Sequence, residues 1–439
     1  MRIVTLMVLL LISQTAMSSD NEDILFRLHG SNTIGAQLGP ELVKRWLHKQ
    51  GYIKIRQTEF KENEYQITAH NINGKQFQVD IRAHGSSTGF KSLLKGETDI
   101  AMSSRPIKNK EVGLLSDQGD MLHADSEYVI GMDGIAVIVN RENPLNTLAK
   151  NTVKKIFTGE IKRWEQITNN FKGVIQVYAR DDKSGTYDTF KALVLGKKAA
   201  LHRAAKRFES NAELSHQVSI NPAAIGFVGL PYVNASKAVA IAEKGALAKE
   251  AREFDVATED YALSRRLYMY VPDVKQNKNV ESFVNFSISD AGQDIVERTG
   301  FVSQKLTARA VTPDARFPEE YLKFTAQGER LSLNLRFKKG GTLLDNKANR
   351  DLLRLVSYMK AQENKNRRVM LFGFAENNET SPVFSLDLST YRADYVSDLL
   401  INKGVGPVRV RGYGSAIPVA SSEDAGGRHK NRRVEVWVR

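Results

Sequence analysis

One local pattern recurs in the N-terminal two-thirds of the chain. A short apolar run leads into a turn of glycine and hydroxyl residues, and an amphipathic helical repeat follows. The turns are Gly30-Ser31-Asn32-Thr33-Ile34, Gly85-Ser86-Ser87-Thr88-Gly89 and Arg180-Asp181-Asp182-Lys183-Ser184-Gly185-Thr186. Leu38, Leu42, Trp46 and Leu47 give the first helix its apolar face; Phe90, Leu93 and Leu94 do so for the second. The third turn follows the strand-like residues 174–178 and precedes a helical face of Tyr187, Phe190 and Val194. Each turn therefore sits where a helix begins, with free backbone N–H groups and the positive end of the dipole. In the third, Ser184 and Thr186 add hydroxyls, Gly185 lets the backbone come close, and Arg180 supplies a planar, permanently charged fork. Together these make an anion site of phosphate size. Any one of them alone reads equally well as an ordinary Ser/Thr N-cap, with Arg180 a surface arginine. The recurrence favours the anion.

The intervening segments predict an α/β sheet with helix N-termini at one edge. Alternating residues between Tyr65 and Ile81 flank Asn73-Gly74, a strong hairpin signal. Residues 99–102 read as a short strand stopped by Pro106, and residues 133–140 as a buried β-branched strand. Further strands are expected at 223–228 and 267–271, and one helix around 283–296. Residues 307–318, with Pro313 and Pro318, read as a polar linker. Beyond it come strands at 330–337, 369–374, 408–412 and 434–438 and helices at 348–359 and 388–401, a compact α+β domain.

The 439 residues suffice for more than one domain, and 41% apolar residues allow a sizeable core. Arg2, the apolar run 3–12 and Ala16-Met17-Ser18 predict a secretion signal over residues 1–18. There is no cysteine, which excludes disulfides, thiolate metal sites, thiol catalysis and attachment through a lipidated cysteine. A net charge of +13 favours anionic partners such as phosphate, cell-wall polymer or membrane headgroups. Export and the lack of a nucleic-acid motif argue against nucleic acid.

The eight histidines are scattered, none pairing at metal-protease spacing. No Gly-x-Ser-x-Gly elbow, Walker loop or dinucleotide fingerprint is present, and no cofactor or metal is expected. His29 and His84 precede hydroxyl turns and could line a cleft, although structural hydrogen bonding is the commoner role of such residues. Asp181-Asp182 fits a solvated or capping turn.

Read in order, these segments resemble the phosphate-binding proteins of bacterial ABC transporters, which have the type II periplasmic-binding-protein fold. The three turns match, as do residues 99–106, Asp133-Gly134-Ile135-Ala136-Val137, Asn143-Pro144-Leu145 and Ile156-Phe157-Thr158-Gly159-Glu160-Ile161 with Trp164. Ala224-Ile225-Gly226-Phe227 and Leu263-Ser264-Arg265-Arg266-Leu267-Tyr268 complete the set. The resemblance implies two lobes over residues 19–306 with inorganic phosphate, or another tetrahedral oxyanion, between them. It implies Thr33, the Ile34 amide and Ser86 as ligands from one lobe, with Ser31 and Ser87 as further candidates, and Arg180, Ser184, Gly185 and Thr186 from the other. Ser104 stands where well-known members have an aspartate that accepts the proton carried by phosphate. A serine can accept that proton but cannot repel an unprotonated anion, and Arg105 adds positive charge if it turns inward. Residues 52–80 are longer than the family pattern.

Residues 319–439 resemble the OmpA-like peptidoglycan-binding domain through Leu388-Ser389-Thr390-Tyr391-Arg392-Ala393, Gly412-Tyr413-Gly414, Pro418-Val419-Ala420 and residues 427–435. The resemblance implies that Arg392 grips the diaminopimelate of the peptide stem. The usual Gly-His-Thr-Asp is Gly373-Phe374-Ala375-Glu376 here, so Glu376 stands in for an aspartate, and Ser385 for an asparagine. The expected protein is a non-enzymatic periplasmic phosphate binder held at the cell wall or outer membrane, with an ABC-transporter permease as a possible partner. The alternatives are a wall-associated adhesin or sensor with a weakly selective cleft, and a phosphatase.

Overall fold

The computed structural model describes residues 23–182, 184–273, 277–377, 381–416, 418–423 and 425–439. The expected secretion signal, residues 1–18, lies outside the described residues, as does Lys183 of the third turn. No helix among the described residues is long and apolar enough to cross a membrane.

Most strands of the N-terminal two-thirds join in an 11-stranded mixed sheet that bends through two lobes. From one edge its order is Ile53–Lys61, Glu64–His70, Gln76–Ala83, Asp23–Gly30, Ile100–Ser103, Ser264–Tyr270, Glu127–Val139, Ala224–Gly229, Gln176–Arg180 and Lys206–Phe208, with the eleventh strand, Lys237–Ala238, pairing with Glu127–Val139 off this path. Thr147–Ala149 and Ala240–Ala242 form a separate pair. The expected Asn73-Gly74 hairpin forms, and Gly74 takes the positive φ of 82° that such a turn requires. The extra length around 52–80 is a third antiparallel strand, Ile53–Lys61, left exposed at the sheet edge.

Glu127–Val139 is the strand on which the two lobes depend. Its first half pairs antiparallel with Ser264–Tyr270, and Ile135 to Val139 pair with Ala224–Gly229. It therefore belongs to both lobes. The strand expected over 133–140 begins earlier, at Glu127, and Gly131 within it packs too closely for a side chain, since a Cβ would lie 2.9 Å from the Val296 side chain. The single helix expected at 283–296 is two, Lys278–Ile288 and Asp290–Arg298, separated by Ser289 in extended conformation. Gly292 makes that corner feasible: a Cβ there would sit 2.2 Å from the Phe286 carbonyl oxygen.

The C-terminal part is a 5-stranded sheet ordered Ala308–Ala310, Glu329–Arg336, Arg433–Val438, Val369–Phe374 and Arg409–Gly412. Asn346–Lys360 and Pro382–Ile401 cover one face around Leu333, Leu355, Leu371, Val396 and Val436. On the other face Tyr321 packs on Phe372 and Trp437. Part of the stretch expected as linker is thus a strand: Ala308–Ala310 pairs with Glu329 to Leu331. Its polar residues concealed this, because an edge strand needs only one apolar face.

The two parts meet through buried charge. Arg266 donates to both oxygens of Glu259 at 2.8 and 3.0 Å and to Asp345 at 2.8 Å. Arg330 lies 2.8 Å from Asp260, and Arg336 donates to the Thr258 carbonyl at 2.7 Å. All of these side chains are buried. Burial alone would raise the acids' pKa values, but the arginines reverse this. Glu259 falls to about 2, held down by Arg266 and Arg336, and Asp260 and Asp345 also lie well below the carboxylate range.

Removing one partner from such a network strands a buried charge. Asp260→Asn is expected to cost about 3–5 kcal/mol in urea unfolding; a loss below 1 kcal/mol would contradict the pairing. The acids bind protons more weakly folded than unfolded, so their contribution is complete above the unfolded carboxylate range and declines as pH falls toward about 2. Melting temperature is therefore expected to be lower at pH 3 than at pH 6 when followed by circular dichroism.

Candidate functional site

Glycine geometry shapes the first two turns. Gly30 adopts φ 136° against the strand Ile100–Ser103, where a Cβ would lie 2.1 Å from the Met102 carbonyl oxygen. Ser31 N–H then donates to that carbonyl at 2.9 Å, and the short helix Asn32–Gly35 begins. Gly85 N–H donates to Gly30 O at 2.7 Å, so the start of Ser86–Lys95 is tied to the first turn. In the other lobe the strand Gln176–Arg180 leads to Ser184, which caps Gly185–Phe190 by accepting from Tyr187 N–H at 3.4 Å.

A cleft cavity of about 300 Å³ lies between the lobes, lined by Asn32, Thr33, Asp133, Arg180, Ser184, Gly185 and Thr186 together with Tyr232 and residues 299–301. Arg180 is oriented by donating through Nε to Phe208 O at 3.2 Å and through Nη2 to Glu209 O at 2.6 Å. Burial lowers its pKa, but an arginine starts high enough to stay charged. The lobes meet at the cavity wall: a Cβ on Gly185 would lie 3.1 Å from the Thr33 Cα. A side chain at 185 would fit only if the Thr33 backbone gave way by a few tenths of an ångström.

The sequence candidates divide into two groups. Thr33, Arg180, Ser184, Gly185 and Thr186 share this cavity. Ser31 and Ile34 are buried beside it, at 2% and 0% exposure. Ser86, Ser87 and Ser104 are not among its walls and form a neighbouring cluster. Ser86 Oγ accepts from the Ser104 amide at 3.1 Å, and Ser87 Oγ accepts from Arg105 at 3.0 Å. Arg105 turns to Glu111, donating at 2.6 and 2.8 Å. Partial burial would raise the Glu111 pKa, but the Arg105 hydrogen bonds and the Lys108 amide leave it lowered. His84 pairs with Glu64 at 2.9 Å, and burial pushes His29 down to about 4, so His29 is neutral near pH 7.

Two residues behind the cavity wall, Arg265 and Thr189, hold Asp133 and Thr33 in place. Arg265, on Ser264–Tyr270, is registered opposite Asp133 and donates to its carboxylate at 3.1 Å. Through Nη2 it also donates to Thr33 Oγ1 at 2.8 Å and to the Thr189 hydroxyl. Thr189 in turn donates to Asp133 at 2.8 Å. Arg265 thus ties a residue of one lobe to a residue of the other. The sequence signal was present in the adjacent Arg265-Arg266, since two arginines in an apolar strand must face opposite sides. Apart from Glu259, seven residues before Arg266, their partners lie far away in sequence and were invisible there. Chemically the cavity wall offers the Arg180 guanidinium, several hydroxyls and the Asp133 carboxylate, with Arg265 held behind it by Asp133, Thr33 and Thr189, which suits an oxyanion that also carries hydrogen-bond donors.

In the C-terminal part Glu376 and Arg392 are both buried, at 3% and 0% exposure. Arg392 Nε donates to Gly341 O at 3.1 Å, and its guanidinium stacks 5.2 Å from the Phe337 ring centre. Ser385, standing for the expected asparagine, donates to Ser381 O at 3.0 Å within its own helix. Among the described residues no group of acidic and histidine side chains has the arrangement of a metal site.

Residues 62–291 match the model of the PBP superfamily domain, and residues 336–432 match that of the OmpA family. A protein called phosphate-binding protein PstS from Staphylococcus epidermidis is 31% identical over 268 residues, covering 59% of this chain and 80% of the relative. Protein SphX from Synechococcus elongatus is 32% identical over 266 residues, covering 58% and 75%. A crystal structure described as a possible phosphate binding protein from Planctomyces limnophilus superposes with a TM-score of 0.53 at 20% identity, covering 70% of this chain and 97% of that one. The expected two-lobed fold with its smaller second domain is therefore the correct one. The chain belongs to the PBP superfamily, with the type II periplasmic-binding-protein fold, and carries an OmpA-family domain at its C-terminal end.

Proposed function

We propose that the chain binds inorganic phosphate between its lobes, in the periplasm, as a binding protein for uptake or sensing. The observation that carries this reading is the interlobe cavity in which Arg180, Thr33 and the Ser184-Gly185-Thr186 turn converge. Relatives named as phosphate-binding proteins support it. A tetrahedral dianion leaving water there meets charge-assisted hydrogen bonds that offset its desolvation. Binding rather than hydrolysis fits the residues present, since phosphate-ester cleavage needs a metal centre or a nucleophile with its base. Delivery to an ABC-transporter permease is the corresponding role for a soluble two-lobed binder.

The OmpA-family domain would hold the protein at peptidoglycan, on the cell wall or outer-membrane side of the periplasm. Arg392 and Glu376 are the candidate grip for the peptide stem, and because both are buried a stem must displace some of their present surroundings to reach them. A protein-docking role for this domain is the alternative that the same burial favours.

Calorimetry tests the cleft directly. Arg180→Ala removes a charged hydrogen-bonding partner and is expected to weaken phosphate binding by about 1.5–3 kcal/mol, roughly ten- to a hundred-fold. Unchanged affinity would remove Arg180 from the site. For the wall, purified sacculi are expected to retain the wild-type chain and to retain less of Glu376→Gln, with melting temperature confirming that the variant is folded. Equal retention of both would place the wall contact elsewhere.

A further inference from the structure

The C-terminal domain does more than follow the lobes in sequence. It packs across the hinge and grips both lobes. At the return crossing between them it receives Thr258, Asp260, Tyr261, Ser264 and Arg266. Asn334 donates to Thr258 O at 2.8 Å and to Asp260 at 2.9 Å, Lys430 donates to Tyr261 O at 3.1 Å, and Arg266 donates to Asp345 at 2.8 Å. On the first lobe Asn346 donates to Leu122 O at 3.0 Å, and Arg350 donates to Glu127 O at 2.8 Å while stacking 4.4 Å from the Tyr128 ring centre. On the second lobe the Ser421 amide donates to Glu243 at 3.0 Å, and Lys244 pairs with Glu423 at 2.6 Å.

We propose that this domain is a clamp that holds the two lobes in the closed geometry, so that the cleft opens only when part of its docking surface lets go. A hinge motion swings one lobe relative to the other, and a rigid body fixed to both must lose contact with one of them. The register of the strand Ser264–Tyr270 supplies the link to the cleft. Successive residues face opposite sides of a strand. Arg265 accordingly reaches Thr33, Asp133 and Thr189 in the cleft, while Arg266 reaches Asp345 of the C-terminal domain. A shift of this strand is felt on both sides at once. Anything that favours the closed cleft must then favour the docked domain, and docking must raise affinity in the cleft by the same factor.

The absence of cysteine permits a direct test in the full chain. Lys91→Cys and Lys155→Cys place spin labels at exposed helical positions, one on each lobe. Without added ligand the interlobe distance is expected to be single and narrow. Glu243→Ala with Lys244→Ala, which frees the second lobe from the clamp, is expected to broaden it toward longer distances. Asn346→Ala with Arg350→Ala frees the first lobe instead and keeps the test standing should the other pair fail to fold. A distribution equally narrow, or equally broad, with and without the clamp contacts overturns the proposal.

Adding inorganic phosphate to the freed variants is expected to restore the narrow distribution, with affinity weakened roughly fivefold or more relative to the clamped chain. This second arm rests on the phosphate reading; the label distances without ligand do not. Variants that broaden but ignore phosphate would leave the clamp intact and remove phosphate as its ligand. Variants that broaden yet bind phosphate as tightly as the clamped chain would overturn the linkage.

Discussion

The ion pair between Arg265 and Asp133 sits where the chain crosses from one lobe to the other, and much of the molecule is arranged around it. Both residues lie on hinge strands that face each other in register. Their hydrogen bonds to Thr33 and Thr189 draw in a short helix from each lobe, Asn32–Gly35 and Gly185–Phe190. A buried guanidinium without partners would be costly, so the strand pair, the carboxylate and the hydroxyls must all be present together. The same constraint fixes the cleft, because the approach of Gly185 to Thr33 follows from their neighbours being tied to one arginine.

One residue further along, Arg266 does for the C-terminal domain what Arg265 does for the cleft. It joins Glu259, on the return crossing, to Asp345 at the N-terminus of Asn346–Lys360. Asp345 is also the N-cap of that helix, accepting from the Ala348 amide at 2.7 Å, and it lies 3.0 Å from His429. An ordinary helix cap has thereby become part of a domain interface. Several arginines behind the +13 net charge, Arg266, Arg330 and Arg336 among them, are therefore buried in this interface. Glu259, Asp260 and Asp345 are buried with them, so these three pairs leave the net positive charge to the rest of the chain.

The substitutions at Ser104 and Glu376 take on physical meaning in the folded chain. Ser104 pairs with Ser86 in a hydroxyl cluster beside the main cavity, and Arg105 is engaged by Glu111 rather than by the cleft. The carboxylate lining the cavity is Asp133, already held by Arg265 and Thr189. Glu376 and Arg392 lie inside the second domain, where their packing also contributes to its core.

Much of the architecture was legible in the sequence. Strand, hydroxyl turn and helix follow one another within a few residues, and local propensities, glycines and caps act over that range. The edges of elements were less legible. The crossing strand begins at Glu127 rather than Asp133, Ser289 splits one expected helix, and part of the expected linker, Ala308–Ala310, is an edge strand, each through packing that a local pattern cannot carry. In the cleft, Arg180 and Ser184-Gly185-Thr186 announced themselves by chemistry and spacing. Arg265 did not, because its partner Thr33 lies 232 residues away. A side chain's charge is written in the sequence, but the group that compensates it is chosen by which strands become neighbours. For this protein the sequence by itself determined the fold, the two-domain order and the third turn of the candidate site. The tertiary structure alone decided that Arg265 faces the cleft, that Arg266 faces the second domain, and that the two domains share a hinge, because alternation along a strand gives its faces meaning only once each is packed against something.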